Sequence, residues 1–573
     1  MKTLKHITVV ALLVLVAYQA TGQQKKIWIS GAARGVMYGD NYSTSAENDS
    51  TTPGKLQSGH AMVDLGVNIQ PSDQILIQGM VRIRNDYGGF WGSGVTFDVR
   101  QLYIKGILGG FLRYQLGDIN YRLSPYTFTN NVGLINKYEG VITSVPLQQV
   151  QYDLFYYPDQ TWRQQGGAVD FAVEFSKAID EIQFNLFTTR VRPSNFTTQD
   201  DRLYSGGSVV LVQSDYFKIG GQYVNLYDFK ETSSNNVFLR NPVFTGTAEV
   251  NYKLSNTHLS AALETGRSLL EWQNGENAPV LEDYFYDATV KAAWSKLGLK
   301  VTAGYRNVGP NFRSAGAQTM QINYAESPLA YQRYGNAQSL RQISMVDLYR
   351  DASLYNAQIA AGLMVYDPRY DNATPYGQAT PNRKGLSLGA NYTDPKDRWT
   401  VEATSELLTD VVGQGTTGLK KYNTTSIFAQ LNINNLIGWN ERKLWISGRF
   451  GMQNTSRSQT DIPQDVVDLA TNFSDFNLTA TLFGQLELIA QYRIWATKGN
   501  DLLAERNQYS QIVNFREYEI EYNENLFGAG LQYAFSEKTH LRLMWQSFAW
   551  DDAKALTLPY ILNTYTLFFT MNF

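Results

Sequence analysis

The sequence of 573 residues lacks several features on which common protein functions depend. It has no cysteine and only four histidines, which leaves no thiol for catalysis and few ligands for a metal ion. Its formal net charge of -3 argues against a nucleic-acid partner, because a protein that binds along phosphates needs a surplus of basic side chains. We therefore expect no metal, no cofactor and no nucleic acid.

The N-terminus has the layout of a secretory signal peptide. A basic opening precedes the apolar run 7–17, and the small-residue tripeptide Ala20–Gly22 follows it. The run has about 11 apolar residues, whereas a transmembrane helix needs roughly 20, so a membrane anchor is the weaker interpretation. We predict a signal peptide at 1–22 and a mature exported chain at 23–573.

No later apolar stretch reaches the length of a transmembrane helix, and the pattern that recurs is a period of two. In residues 61–69 the apolar side chains Ala61, Val63 and Leu65 alternate with polar or small ones, and similar stretches recur as far as residues 541–545. This alternation is typical of half-buried β-strands. A soluble β-sandwich alternates in the same way, so alternation alone does not place the chain in a membrane.

The connections between these strands alternate between tight polar turns and longer loops, as in barrels with one periplasmic and one extracellular rim. Ten turns join twenty strands, and an opening strand at Lys26–Tyr38 and a closing strand at Asn563–Phe573 raise the number to about 22. The predicted turns lie at residues 71–73, 108–110, 179–181, 214–215, 255–257, 296–298, 394–397, 436–441, 483–485 and 536–538. The rhythm predicts an all-β protein, a transmembrane antiparallel β-barrel.

The closing strand alternates aromatic and apolar side chains with threonine and ends on Phe573. In this respect the chain resembles bacterial outer-membrane β-barrels, in which a terminal Phe is read by the barrel-insertion machinery. Aromatic residues near the inferred strand ends fit a membrane interface. The resemblance implies a Gram-negative outer membrane, contact with its lipid, and Phe573 as an insertion signal. The Gln23–Gln24 opening and the loops rich in Asn, Thr and Tyr also resemble large uncharacterised barrels of Bacteroidota.

Two segments, Ile119–Gln165 and Asn307–Lys384, are long enough to close a wide bore. We expect at least one of them to fold into the lumen. The alternatives are an external cap or an extra hairpin that would raise the number of strands to about 24. Tyr156, Tyr157 and Trp162 in the first segment are candidates for stacking on sugar rings, although residues that pack a plug would look the same.

The polar faces of the predicted strands carry charges that would point into the lumen and bias what passes. Basic candidates fall on the third to fifth strands and acidic candidates on later ones. The lumen-lining candidates are Arg82, Arg84, Lys105, Arg113, Asp170, Glu174, Glu249 and Glu264. Arg100 shares the parity of Leu102 and Ile104, so its face is ambiguous. A solvated interior of mixed charge and a transverse field with a basic wall are both consistent with this pattern.

The sequence offers little for catalysis. His60 is the one histidine placed as an outer-membrane hydrolase would need it, but no nucleophile and orienting group can be assigned to it. We therefore predict no enzyme activity. The prediction is a porin-like channel for small hydrophilic solutes. The alternative is a non-conducting barrel that serves a secretion or transport complex as a structural or assembly part.

Overall fold

A computed structural model describes residues 26–44, 54–87, 95–129, 139–154, 164–274, 278–318, 367–439, 441–458, 465–507 and 511–573. The predicted signal peptide 1–22 and the loop aromatics Tyr156, Tyr157 and Trp162 lie outside these residues.

Twenty-two strands make up most of the described chain. Their bounds are β1 Lys26–Thr44, β2 Lys55–Ser72, β3 Ile75–Asp86, β4 Val95–Leu108, β5 Leu112–Asp118, β6 Gln165–Glu174, β7 Glu181–Arg192, β8 Asp201–Val212, β9 Phe217–Phe229, β10 Phe238–Leu254, β11 Thr257–Gln273, β12 Leu281–Trp294, β13 Leu299–Val308, β14 Arg383–Thr393, β15 Trp399–Thr409, β16 Lys421–Asn432, β17 Leu444–Arg457, β18 Val467–Phe483, β19 Leu486–Arg506, β20 Ile512–Ser536, β21 Thr539–Asp552 and β22 Tyr560–Asn572.

The strands form one closed antiparallel barrel. Each strand pairs with the next along the chain, and β22 pairs with β1 to close the ring, with Phe569 opposite Gly35. The predicted fold class and the predicted number of about 22 strands are confirmed. All ten predicted tight turns join consecutive strands on one rim, which is the periplasmic rim in bacterial barrels. Both long segments connect strands on the other rim, the extracellular one.

The alternation seen in the sequence separates the lipid face from the lumen. On β2, Val63, Leu65 and Val67 are exposed on the outside, whereas Asp64 and Asn68 are buried inside the barrel. A continuous apolar exterior of this kind would drive aggregation in water and is stable against acyl chains. The exterior is therefore the lipid-facing surface of an outer-membrane barrel.

A β-bulge on β4 decides the face of Arg100. Met80 pairs with Gln101 while Val81 pairs with Val99, so Arg100 is an extra residue without an opposite partner on β3. The bulge changes the parity of the strand at this point, and both Arg100 and Gln101 are buried inside the barrel. Arg100 therefore belongs to the lumen face, which simple alternation left undecided.

Two helices lie among the described residues. Helix α1 spans Val141–Leu154 within the first long loop, and the short helix α2 spans Ile433–Ile437 in a periplasmic turn. Helix α2 ends at Gly438, whose φ of 77° is readily adopted only by glycine. Neither helix in this part of the chain has the length and apolar character needed to cross a bilayer.

Candidate functional site

The described parts of both long loops fold into the barrel. The first long loop is residues 119–164 and the second long loop is residues 309–382. Tyr126 of the first stacks on Phe285 of β12 at 4.0 Å between ring centroids, and Phe312 of the second lies edge-on to the same ring at 5.0 Å. Phe128 is fully buried against Phe187. The described parts of the loops thus form an apolar plug on the inner faces of β7–β13, and the expectation that at least one loop enters the lumen is confirmed.

Helix α1 of the first long loop is held against the inner wall of β1–β4 by ion pairs. Asp153, near the C-terminal end of the helix, lies 2.6 Å from Arg34 Nη2 and 3.0 Å from Arg82 Nη1. All three side chains are about 1% exposed. The Arg34 guanidinium also donates to Gln149, one turn earlier in the helix, at 2.9 Å. These contacts fix one face of the helix to the wall.

Asp64 of β2 is a second acid in the same contact. It accepts two hydrogen bonds from Arg82, each of 2.7 Å, in the fork geometry that favours arginine and carboxylate. The Tyr152 hydroxyl of helix α1 donates to the same carboxylate. Arg100 donates to the backbone carbonyls of Tyr152 and Asp153. Arg100 therefore serves the carbonyls that a helix leaves without partners at its C-terminal end, where a cation is also favoured by the helix dipole.

We call Arg34, Arg82, Arg84 and Arg100 the arginine cluster. The guanidinium of Arg84 pairs with Asp86 of the same strand at 2.9 Å. With Asp64, Asp86 and Asp153 the cluster is a nearly neutral buried network. The network binds the plug helix to the barrel and presents little free positive charge to the lumen.

The charges around Asp153 keep it ionised. Burial alone would raise the pKa of this carboxyl, but Arg34 and Arg82 outweigh burial and hold the pKa of Asp153 well below its usual range. A lowered pKa in the folded state stabilises the fold above the unfolded pKa, and this stability is lost as the pH falls through the folded value. The contact between helix and wall is therefore stable throughout the neutral range.

The N-terminal end of helix α1 is fixed to a different part of the wall. Glu139 pairs with Arg493 of β19, and the Thr143 backbone N–H donates to Gln491 at 3.1 Å. Gln491 and Arg493 are in turn held by Asp475 of β18, at 2.9 and 3.0 Å. The helix is therefore a strap that runs inside the barrel from β18–β19 to β1–β4.

The predicted basic residues divide into two groups. Arg82 and Arg84 are buried in the arginine cluster, whereas Lys105 and Arg113 line a cavity of about 470 Å³ below the first long loop. Arg113 pairs with Asp170 of β6 at 2.5 Å, and its side chain is 70% exposed. The second group therefore faces open space on the periplasmic side.

The predicted acidic residues lie on the inner wall in different roles. Glu264 accepts a 2.5 Å hydrogen bond from Ser124 and so holds the first long loop. Glu249 accepts from Asn251 at 2.8 Å, and Glu174 is exposed near the periplasmic end of β6. His60 is buried and accepts a hydrogen bond from Arg34 at 2.9 Å, so it is part of the wall network.

The sequence analysis did not identify the acidic partners of the arginine cluster. Asp64 lies directly opposite Arg82 across the tight turn that joins β2 and β3, so a register count from that turn could have paired them. Arg34 shares the inward parity of β1 and could also have been found. Asp153 could not, because its contact depends on how a loop far along the chain folds back.

We expect the buried arginines and the two cavity-lining residues to respond differently to substitution. The pair K105Q and R113Q should shift the reversal potential of the barrel in a salt gradient toward cation selectivity and leave assembly intact. R82Q should instead impair assembly, because it leaves Asp64 buried without its paired hydrogen bonds and Asp153 with Arg34 as its remaining arginine. Heat-modifiable mobility in gels checks assembly. An unchanged reversal potential in an assembled K105Q/R113Q barrel would show that this cavity is not on the ion path.

Comparisons with known proteins return similar folds and no family. No family model matches the chain, and no curated protein matches it. The chain is similar in structure to OccK9 (OpdG) of Pseudomonas aeruginosa, with 10% identity, coverage of 96% of this chain and 99% of that one, and a TM-score of 0.34. It is similar to a BenF-like porin from Pseudomonas fluorescens Pf-5, with 9% identity, coverage of 96% and 100%, and a TM-score of 0.35.

The translocation pore of the P pilus usher PapC is similar to the same degree, with 9% identity, coverage of 95% and 99%, and a TM-score of 0.36. These scores and identities are too low to carry an argument about function. The function of the chain has to be argued from its own residues.

Proposed function

We propose that the protein is an outer-membrane channel for small hydrophilic solutes whose bore is narrowed by its own long loops. The observation that carries the proposal is the polar inner face of the lipid-facing barrel, which stays accessible beside the plug. A cavity with Lys105, Arg113 and Asp170 lies on the periplasmic side, and a second polar cavity of about 340 Å³ lies at the extracellular mouth. A barrel with a purely structural role has no need of an accessible charged interior.

The plug limits the size of what the channel passes. A barrel of 22 strands is wide enough to need a plug, and here the aromatic core of the two loops and the strap of helix α1 occupy the bore. The remaining space suits small solutes. Sugars and other hydroxylated molecules fit the polar lining, which includes Gln70, Gln74 and Gln115 at the periplasmic cavity.

The aromatic core favours a second candidate function. Phe128, Phe187, Tyr204 and Phe285 are buried together in one cluster, which suits a closed barrel that acts as a structural or assembly part of a secretion or transport complex. The barrel-insertion machinery as a partner and Phe573 as its signal also stay predictions, as does the resemblance to Bacteroidota barrels.

Liposome swelling tests the channel against the closed barrel. Purified protein in liposomes should admit glucose faster than the trisaccharide raffinose, because the loops leave a narrow path. Heat-denatured protein is the control for leakage. If neither sugar enters, and neither enters after residues 141–154 are removed, the channel is refuted and the closed barrel is favoured.

A further inference from the structure

A pocket at the extracellular mouth has the features of a binding site. It lies between the described residues 313–318 and 372–381 of the second long loop and the extracellular ends of β14, β16 and β19, with a volume of about 340 Å³. This volume is at the small end of the range for ligand pockets. The charged and aromatic residues that line it are Arg313, Tyr376, Arg383, Lys420, Tyr422, Asp501 and Arg506.

The lining carries more basic than acidic side chains. The one acidic residue of the lining, Asp501, forms an ion pair with Lys420 at 2.5 Å. Arg383 is held by Asp410, which lies behind the pocket, at 3.1 Å, and its guanidinium lies 3.7 Å from the Tyr422 ring centroid. The pairs Lys420–Asp501 and Arg383–Asp410 therefore each balance their own charges.

Arg313 has a different environment. Its Nη1 donates to the backbone carbonyls of Pro310 and Phe312, at 3.1 and 2.8 Å. Among the residues described by the structure, no carboxylate lies within ion-pair distance of its guanidinium. Within the described residues, Arg313 therefore gives the pocket a positive charge that the lining acid Asp501, already paired with Lys420, does not balance.

The position of Arg313 is fixed before any ligand arrives. Phe312 beside it is fully buried, and the Arg313 backbone N–H donates to Ser268 of β11 at 2.8 Å. The Arg313 carbonyl accepts from Asn241 of β10 at 3.1 Å. A guanidinium on an anchored backbone loses little freedom when it binds, which favours affinity.

We propose that this pocket binds a small hydroxylated anion, of about the size of an acidic or phosphorylated monosaccharide. The Arg313 guanidinium matches the paired oxygens of a carboxylate or phosphate. The Tyr376 ring and the Gln414 amide at the lining suit the apolar face and hydroxyls of a sugar. The inference rests on the proposed function, because it names the class of solute that the channel would select at its entrance.

Isothermal titration on the full-length barrel in detergent tests this proposal with three probes: D-glucuronate, glucose 6-phosphate and D-glucose. At least one of the two anions should bind at least about tenfold more tightly than glucose, and the tighter one identifies the preferred oxyanion. R313Q should weaken that binding about tenfold or more, and R313K should recover part of it. R516Q is the matched control, because Arg516 pairs with the exposed Glu505 and does not line the pocket.

Equal binding of glucose and both anions, no binding of any probe, or unchanged affinity in R313Q would each overturn the proposal. If R313Q does not assemble, R313K takes its place, and a smaller loss of affinity for the anion is expected because Lys cannot form the paired hydrogen bonds of a guanidinium. Binding and conduction are separate readouts. A barrel that admits sugars into liposomes but binds neither anion refutes the anion site alone, and one that binds an anion without conducting refutes the channel alone.

Discussion

Replacing Asp153 with asparagine should release helix α1 from the wall and both destabilise and open the barrel. Asp153 is the acid that pairs with Arg34 and Arg82 at once, and all three side chains are buried. Removing one charge of a buried pair leaves its partners uncompensated, which costs about 3–5 kcal/mol. We expect a lower midpoint in thermal unfolding and faster entry of raffinose into liposomes.

The matched control for D153N is E521Q. Glu521 also forms an ion pair, with Lys498 at 2.6 Å, but both side chains are exposed, so solvent already screens the pair. E521Q should leave the midpoint and the rate of swelling unchanged. If D153N behaves like E521Q in both measurements, the ion pairs do not hold the helix, and the plug depends on the aromatic core.

Deleting Tyr565–Phe573 should prevent assembly altogether. These residues form most of β22, which pairs with both β1 and β21, and the backbone of Phe573 exchanges two hydrogen bonds with Gly31, of 2.9 and 3.0 Å. Without them the edges of β1 and β21 would be unpaired in lipid, where each unsatisfied backbone group costs several kcal/mol. We expect secreted protein that is protease-sensitive and does not show heat-modifiable mobility.

The point variant F573A separates closure of the barrel from a signal for insertion. It keeps the backbone pairing of β22, so a barrel that fails only for lack of closure should still assemble. A failure of F573A in cells, together with normal refolding in detergent, would support Phe573 as an insertion signal. Protease-resistant outer-membrane protein after deletion of Tyr565–Phe573 would contradict the strand order.

The fold could be predicted from the sequence because its determinants are local. Strict alternation over stretches such as 61–69 sets the two faces, and turns such as 71–73 set the register of neighbouring strands. The structure extends some strands beyond their predicted ends: β1 continues to Thr44, beyond the predicted end at Tyr38. The strands continue to pair on the extracellular side of the membrane. Because the outward side chains there do not face lipid, the apolar pattern that marks a strand in the sequence ends earlier than the strand does.

The plug could be predicted only in outline. Helix α1 contains Pro146 and, with Val141, Ile142 and Thr143 near its start, has a weak intrinsic tendency to be helical. Contacts with distant strands hold the helix at both ends. The local sequence alone therefore does not predict a helix here. The alternation around Arg100 changes phase between Val99 and Leu102, which makes its face ambiguous, but the position of the bulge depends on the pairing of β3 with β4.

The alternation of polar and apolar residues predicts that Arg82 and Arg84 face the lumen, but it does not predict what they bind. A lumen-facing arginine can bind a passing anion or an internal acid, and the choice depends on whether the loop above it brings a carboxylate. Here Asp64 and Asp153 reach Arg82, whereas Lys105 lies in an open cavity. The same residue type on the same face therefore serves structure in one place and is available to solutes in another.

Single-channel recording in a planar bilayer tests the central claim most directly. The account predicts small, defined current steps from the wild-type barrel and distinctly larger steps from a variant that lacks residues 141–154, because that segment narrows the bore. If both the wild-type barrel and the variant assemble and neither gives current steps, the account is contradicted. A channel that helix α1 narrows should conduct once that helix is removed.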